Sequence, residues 1–303
     1  PDLYDLVYRA TKQVPEGMLT TYGDIARALG DIRASRAVGM IMARNPYAPE
    51  VPCHRVVYST GEVGWYGGKG SGSDRKQEML REEGVEIKEG RVVDFPRRHF
   101  QDIEVDPVLT RMREEQCELR AKVTTESPSI DRVIGVDVSY HEDRGYVAAA
   151  EYDPDTGEMV EERTAEVEVH FPYITTYLSY REIPALQEIM ERREGTAYLV
   201  DGQGILHPRR FGIACHLGVL FDMPTIGAAK SPLCGEIIGK DIVLQGERMG
   251  TFMGEGKGVY VSPGHRMDLE TAREVCGRFL RHRVPEPLRR AHLLANELRR
   301  SGG

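Results

Sequence analysis

The chain reads as an α/β protein in two parts, the first mostly helical and the second built on a central mixed sheet. Three observations predict this. Residues 22–30 and 34–43 are two short helical patterns separated by a brief turn, which is helix-turn-helix spacing. Residues 134–140 and 198–204 are apolar, β-rich runs, each enclosing an aspartate. Between these regions Phe95-Pro96-Arg97-Arg98 breaks the pattern, and 303 residues suffice for about two domains, each able to bury its own core.

Taken in order, residues 1–14 form an amphipathic helix with Leu3, Leu6, Val7 and Ala10 on one face. The 22–30 helix is ended by Gly30, and the 34–43 helix follows. Residues 87–94 read as a hairpin turning at Glu89-Gly90. From Asp106 a helical period runs through Leu109, Met112, Glu115 and Leu119 to about Val123. These patterns predict a first domain over 1–97, a linker over 98–105 and a second domain over 106–303; so short a linker lets the two parts pack together.

Composition excludes several classes. No apolar run approaches the length of a membrane span, and no basic-then-apolar leader opens the chain, so a soluble cytoplasmic protein is expected. The five cysteines (53, 117, 215, 234 and 276) follow no disulfide or zinc spacing, which fits a reducing compartment. The net charge of −8 argues against nonspecific coating of nucleic acid. That charge is uneven: residues 1–99 hold 15 Lys and Arg against 14 Asp and Glu, so the acidic excess lies in the second part. Eight acidic residues and one arginine over 151–168 read as a solvated strand face and hairpin turn. Gly202-Gln203-Gly204 and Gly254-Glu255-Gly256-Lys257 both lack the residues that complete a phosphate loop, so no nucleotide cofactor is expected.

Two constellations carry chemistry. In Val51-Pro52-Cys53-His54-Arg55-Val56-Val57 a thiol stands beside an imidazole and a guanidinium, and a base with cationic neighbours favours the thiolate, the attacking form. Adjacent side chains face each other poorly, so His54 is expected to reach Cys53 through a water. In the second part, Asp137 and Asp201 sit inside β-rich runs where a carboxylate is costly unless a cation or hydrogen bonds accept its charge. With Glu182 starting a helix, they form an oxygen-only set suited to Mg²⁺ or Mn²⁺.

Thr21-Tyr22-Gly23-Asp24, Ser35-Arg36-Ala37-Val38-Gly39, Arg44-Asn45-Pro46 and Pro52-Cys53-His54-Arg55-Val56, in that order, resemble the catalytic C-terminal domain of the O6-alkylguanine-DNA alkyltransferases over residues 1–95. The resemblance implies a winged helix-turn-helix-like domain that needs no cofactor and binds double-stranded DNA bearing O6-alkylguanine. It makes Cys53 the irreversible alkyl acceptor, His54 its water-linked base and Glu83 the carboxylate orienting the histidine. It also makes Tyr22 the residue that helps rotate the nucleotide out, Arg36 the one that fills its gap, Asn45 the brace of the active-site turn and Arg55 a DNA contact. Extrusion is required because guanine O6 is out of reach of a buried thiol while stacked. The glycine-rich stretch 61–72 matches the family's base-contacting loop, with an insertion near Gly70-Ser71-Gly72.

Phe171-Pro172-Tyr173-Ile174, Leu178-Ser179-Tyr180-Arg181-Glu182, Val200-Asp201-Gly202-Gln203-Gly204, His207-Pro208-Arg209, Gly227-Ala228-Ala229-Lys230-Ser231 and Val261-Ser262-Pro263-Gly264-His265 resemble endonuclease V over about residues 106–300. That implies a ribonuclease H-like fold cutting at the second phosphodiester 3′ to hypoxanthine. Asp137, Glu182 and Asp201 would hold the metal, with His292 and Lys230 beside them; Tyr173 would be the wedge, and His207 and Arg209 DNA contacts. The wedge departs from the family in carrying Thr175 at its fourth place, where proline is common. The chain is thus expected to be a monomeric bifunctional repair protein acting on O6-alkylguanine and deaminated bases, with no membrane partner. A lesion-marking module that does not transfer, joined to the nuclease, and a nuclease for inosine in RNA stay open as alternatives.

Overall fold

A computed structural model describes residues 2–66 and 72–302. Gly70 and Ser71, where the insertion is expected, lie outside the described residues. The chain divides into two compact units: Pro1–Arg113 with His170–Thr175, and Glu114–Val169 with Thr176–Gly303.

The first unit is mainly helical. Helix α1 (Leu3–Lys12) starts at Asp2, whose carboxylate accepts from the Tyr4 and Asp5 amides, and it buries Leu3, Leu6, Val7 and Ala10. Strand β1 (Thr20–Thr21) leads into α2 (Tyr22–Ala28) through a capping box: the Asp24 amide donates to Thr21 Oγ1 at 3.0 Å, and the Thr21 amide to Asp24 Oδ2 at 3.2 Å. A 3-10 turn separates α2 from α3 (Ser35–Ala43), giving the expected helix-turn-helix spacing. A second 3-10 turn, Cys53–Arg55, precedes β2 (Val56–Val57). Strand β2 pairs parallel to β1, Thr20 opposite Val56 and Thr21 opposite Val57, which brings the start of α2 beside the Cys53 turn.

Helix α4 (Ser73–Glu82) is followed by β3 (Ile87–Lys88), β4 (Arg91–Val92) and the short α5 (Phe95–Arg98). The hairpin turns at Glu89 and Gly90, with φ of 50° and 73°, the two positive angles a tight primed turn needs. Leu19, Val57, Val63, Leu80, Val85, Ile87 and Val92 form a core beneath these elements. The boundary between units falls within α6 (Val108–Arg120).

In the second unit, β5 (Arg132–His141), β6 (Arg144–Tyr152) and β7 (Met159–Glu168) form an antiparallel meander. Then come α7 (Leu178–Leu186), β8 (Thr196–Val200), α8 (Ile213–Phe221), β9 (Thr225–Ala229), β10 (Glu236–Ile238), β11 (Asp241–Leu244), β12 (Glu247–Glu255), β13 (Lys257–Pro263), α9 (Leu269–Phe279) and α10 (Glu286–Ser301). The nine strands form one sheet ordered β10-β11-β12-β13-β9-β8-β5-β6-β7, parallel only across β9-β8-β5. The central β8 is buried along its whole length because helices cover both faces. Ile183, Leu186, Ile213 and Leu217 pack on one face and Ala272, Val275, Phe279, Leu288 and Ala291 on the other.

The acidic 151–168 stretch is a hairpin ending on the edge strand β7, where charge discourages further strand pairing. One member departs from the expected solvated face: Glu151 is buried and ion-paired to Arg193 at 3.2 Å and Arg132 at 3.4 Å. Burying a carboxylate is costly unless such partners pair with it. Glu182 also differs from its expected place, lying inside α7 rather than at its start.

Candidate active sites

In the first unit Cys53 is buried at the floor of a cavity of about 590 Å³ lined by Tyr22, Arg36, Tyr58, Trp65 and Tyr66 among others. Asn45 braces the approach to this turn: its side chain donates to the Val51 carbonyl at 3.1 Å and accepts from the Tyr47 amide at 2.9 Å. His54 Nε2 lies 2.7 Å from Glu83 Oε1, while Nδ1 is buried with no hydrogen-bond partner among the described residues. Glu83, the C-cap of α4, also accepts from Arg55 Nε at 3.1 Å, Arg55 Nη2 at 2.8 Å and the Gly17 amide at 3.1 Å. Burial would raise the Glu83 carboxyl, but hydrogen bonds from Arg55, His54 and Gly17 hold it below the usual carboxylate range. Burial pulls the His54 imidazole below its ordinary value; Glu83 opposes this, and the Arg55 and Lys76 cations reinforce it. The imidazole is therefore neutral at neutral pH, the form that can take a proton.

Arg36 is exposed at the cavity on α3, and Tyr22 is half-buried in its wall. Burial, with Tyr58 and Cys53 adding to it, pushes the Tyr22 hydroxyl up to about 12. Arg55 is turned inward, because Glu83 and the Val14 carbonyl, the latter at 2.8 Å, engage its guanidinium.

Sequence reasoning missed Lys76. Its ammonium donates to the Val56 carbonyl at 2.6 Å and is fully buried; burial pulls it down to about 8, with Cys53 acting in the opposite direction. The available signal was a lysine four residues before Leu80 on the buried face of α4.

In the second unit the sheet register makes the site. Val136 on β5 pairs with Val200, the last residue of the parallel β8, so Asp137 in the middle of β5 stands beside Asp201, which follows the end of β8. Helix α7 brings Glu182 to both: burial raises its carboxyl well above the usual range, and the charges of Asp137 and Asp201 raise it further. Burial also raises Asp201, against Lys230, whose Nζ donates to Asp201 Oδ2 at 2.5 Å. His292 on α10 sits with Nδ1 2.7 Å from Asp137 Oδ2, and this hydrogen bond raises the imidazole. Asn296, one turn on, donates to the His292 carbonyl at 2.8 Å and accepts from Ser139 Oγ at 3.1 Å.

Glu182 and Asp201 are raised by burial and by the charge of Asp137, an electrostatic setting a divalent cation relieves, and the oxygen donors of the three suit a hard cation. The fit rests on this charge and chemistry. Among the described residues no group of three His, Cys, Asp or Glu donors already stands in metal-ligand geometry, and Lys230 and His292 engage the two aspartates.

The remaining expected residues are Tyr173, His207 and Arg209. Tyr173 is 55% exposed within His170–Thr175, the segment grouped with the first unit. His207 is buried, and its Nδ1 accepts from the Arg209 amide at 3.2 Å. Arg209 donates to Gln116 Oε1 at 2.7 Å and to the Thr176 carbonyl at 2.6 Å, with its guanidinium 4.8 Å from the Tyr177 ring centre. Thr176 adopts φ of 74°, so the residue after Thr175 carries a backbone cost that these contacts to its carbonyl offset. Tyr140 was also missed: its hydroxyl is buried near Glu182 and its ring lies under the Arg181 guanidinium at 4.0 Å.

Residues 2–85 match the family model described as 6-O-methylguanine DNA methyltransferase, DNA binding domain, and residues 114–293 match Endonuclease V. A "Bifunctional methyltransferase/endonuclease" of Picrophilus torridus is 36% identical over 301 residues, covering 99% of this chain and 98% of its own length. One of Thermoplasma volcanium is 34% identical, covering 99% and 90%. The crystal structure of Ciona intestinalis Endonuclease V in complex with a 24mer DNA containing an inosine followed by a ribo-adenosine superposes with a TM-score of 0.60 at 26% identity, covering 65% of this chain and all of that one. Full-length likeness to these relatives, over a chain whose two halves match those two models, makes it a member of the bifunctional methyltransferase/endonuclease family.

Proposed function

We propose that the first unit, read as a winged helix-turn-helix-like domain, removes alkyl groups from O6-alkylguanine in double-stranded DNA. The observation that carries this is the Cys53-His54-Glu83 line, with His54 held by Glu83 through Nε2 and its Nδ1 left without a partner. With Arg36 filling the gap and Tyr22 guiding rotation, the extruded base enters the cavity that Cys53 floors. His54 takes the thiol proton through a water; the Cys53 sulfur bonds to the alkyl carbon as the carbon–O6 bond breaks. The electron pair goes to guanine, which takes up one proton. The thioether is stable, so each molecule reacts once.

The second unit, read as a ribonuclease H-like domain, cuts nucleic acid 3′ to deaminated bases such as hypoxanthine. Its support is the raising of the Glu182 and Asp201 carboxyls by burial and by the charge of Asp137, the three residues that would hold Mg²⁺ or Mn²⁺. Such a cation, when bound, would polarise the phosphodiester and the attacking water. Lys230 balances charge on Asp201, His292 orients Asp137 through Nδ1, and Tyr173 stacks where the base has left. The inward engagement of Arg55, His207 and Arg209 supports positioning roles for them in place of direct DNA contact.

Peptide mass analysis after reaction with O6-methylguanine duplex tests the first half; absence of one added methyl on Cys53 would sink it. Cleavage of matched inosine-containing DNA, RNA and chimeric strands tests the second. The RNA and chimeric arms are included because the Ciona relative was solved with inosine followed by a ribonucleotide. Equal nicking in excess chelator would overturn the metal reading. No helix among the described residues is long and apolar enough to cross a membrane.

A further inference from the structure

Side chains alternate along β5, and the alternation divides its later residues between two helices. Asp137 and Ser139 face α10, where they meet His292 at 2.7 Å and Asn296 at 3.1 Å. Tyr140 faces the other side and packs against the cluster that holds Ile183 and Leu186 of α7. Its ring lies under the Arg181 guanidinium at 4.0 Å, and its hydroxyl is buried beside Glu182 with no hydrogen-bond partner among the described residues. Leaving a buried hydroxyl unpaired is costly, so a donor kept at such a place points to a use.

Its neighbours indicate that use. Lys230 donates to Asp201 and His292 lies against Asp137, so each aspartate has a group that fixes one of its oxygens. Tyr140 is the neutral donor beside Glu182; with Arg181 it favours the ionised carboxylate, against burial and the two aspartates. A phenol suits this place better than another ammonium, because it can hold one carboxylate oxygen and leave the negative charge for a cation.

We propose that Tyr140 is a positioning residue for the cutting reaction: its hydroxyl donates to the ionised Glu182 carboxylate and orients it toward the cation, while the Arg181 contact fixes the ring. The proposal rests on the reading of Asp137, Glu182 and Asp201 as the cation-holding set.

The test uses the full chain and Tyr140→Phe, which keeps the ring and loses only the hydroxyl. Melting temperature and single-turnover nicking of an inosine-containing duplex are each followed against free Mg²⁺. Both midpoints should rise about tenfold in Tyr140→Phe, the lower end of what losing a group behind a metal ligand costs, and nicking should recover at saturating Mg²⁺. In chelator the variant should melt no lower than the unaltered chain, since its hydroxyl has no partner to lose. Unchanged midpoints overturn the proposal, as does a nicking defect that saturating Mg²⁺ leaves in place. A lower melting temperature in chelator with unchanged midpoints also overturns it and marks Tyr140 as a packing residue. If the unaltered chain neither gains stability from Mg²⁺ nor needs it to nick, the three-carboxylate reading itself falls and takes the proposal with it.

Discussion

His54 and Glu83 meet at 2.7 Å through Nε2, so the ring nitrogen left for chemistry is Nδ1, buried and without a protein partner among the described residues. Glu83 is at once the anchor of the imidazole and the counter-ion of Arg55, within a pair whose side chains are mostly buried. Glu83→Gln keeps the shape and removes the charge. Stranding a buried guanidinium costs about 3–5 kcal/mol where burial is complete, and here about 2–3 kcal/mol is expected from denaturant unfolding. Methyl transfer should slow about ten- to a hundredfold as His54 loses its orientation.

The acid limb of transfer should lie below pH 6.5. Burial depresses His54 from that value, so its neutral form persists to lower pH than in a free imidazole. The linkage sign agrees: the unfolded chain takes up this proton first on acidification, so the histidine's stability contribution is complete above pH 6.5 and lost as pH falls through the lower folded value. Transfer rates and melts between pH 4.5 and 8 on about half-unit steps check both; an acid midpoint at or above 6.5 contradicts the assignment.

Lys76→Met should separate activity from stability. Removing a buried charge favours folding by about 1–4 kcal/mol, while leaving the Val56 carbonyl unpaired costs about 1–3 kcal/mol, so the melting temperature should move little. Transfer near pH 7 should fall about tenfold as the thiolate loses a cationic neighbour. In the unaltered chain this support should fade above about pH 8, where Lys76 gives up its proton.

Glu182→Gln should remove one of three mutually repelling carboxylates. In chelator its melting temperature should equal or exceed that of the unaltered chain, because like-charge repulsion is relieved. Adding Mg²⁺ or Mn²⁺ should stabilise the unaltered chain and not the variant, by linkage to cation binding. Inosine-dependent nicking should vanish in Glu182→Gln, Asp137→Ala and Asp201→Ala, with methyl transfer retained in each. A cation-induced rise of equal size in the Glu182→Gln protein would remove it from the ligand set.

Tyr173→Ala should weaken binding to inosine-containing duplex by about ten- to a hundredfold, the scale of a base–aromatic stacking contact of roughly 1–3 kcal/mol. The defect should shrink on single strands, which need no unstacking. Because Tyr173 is exposed, its melting temperature should not change. Equal losses on duplex and single strand, together with a lower melting temperature, would mark it as a packing residue.

Elements whose cause is local were legible in the residues. The Thr21/Asp24 cap sets the start of α2, and the Glu89-Gly90 turn sets the β3-β4 hairpin. Cys53-His54 and the two strand aspartates were legible because thiol, imidazole and buried carboxylates are chemically conspicuous wherever they stand. What a side chain meets across the fold was not. Arg55 and Arg209 look like surface cations in sequence, yet Glu83 lies 28 residues from the first and Gln116 lies 93 from the second. Glu151 reads as part of an acidic face until Arg132 and Arg193 are brought to it. Lys76 and Trp65 give weak signals alone, because burial of the one and the cavity beside the other arise from packing of distant segments. The amino-acid sequence by itself pointed to the two chemistries and to the residues proposed to perform them. The tertiary structure decided their distances, protonation and partners, because Coulomb and hydrogen-bond energies depend on separations and burial that exist only once the chain has folded.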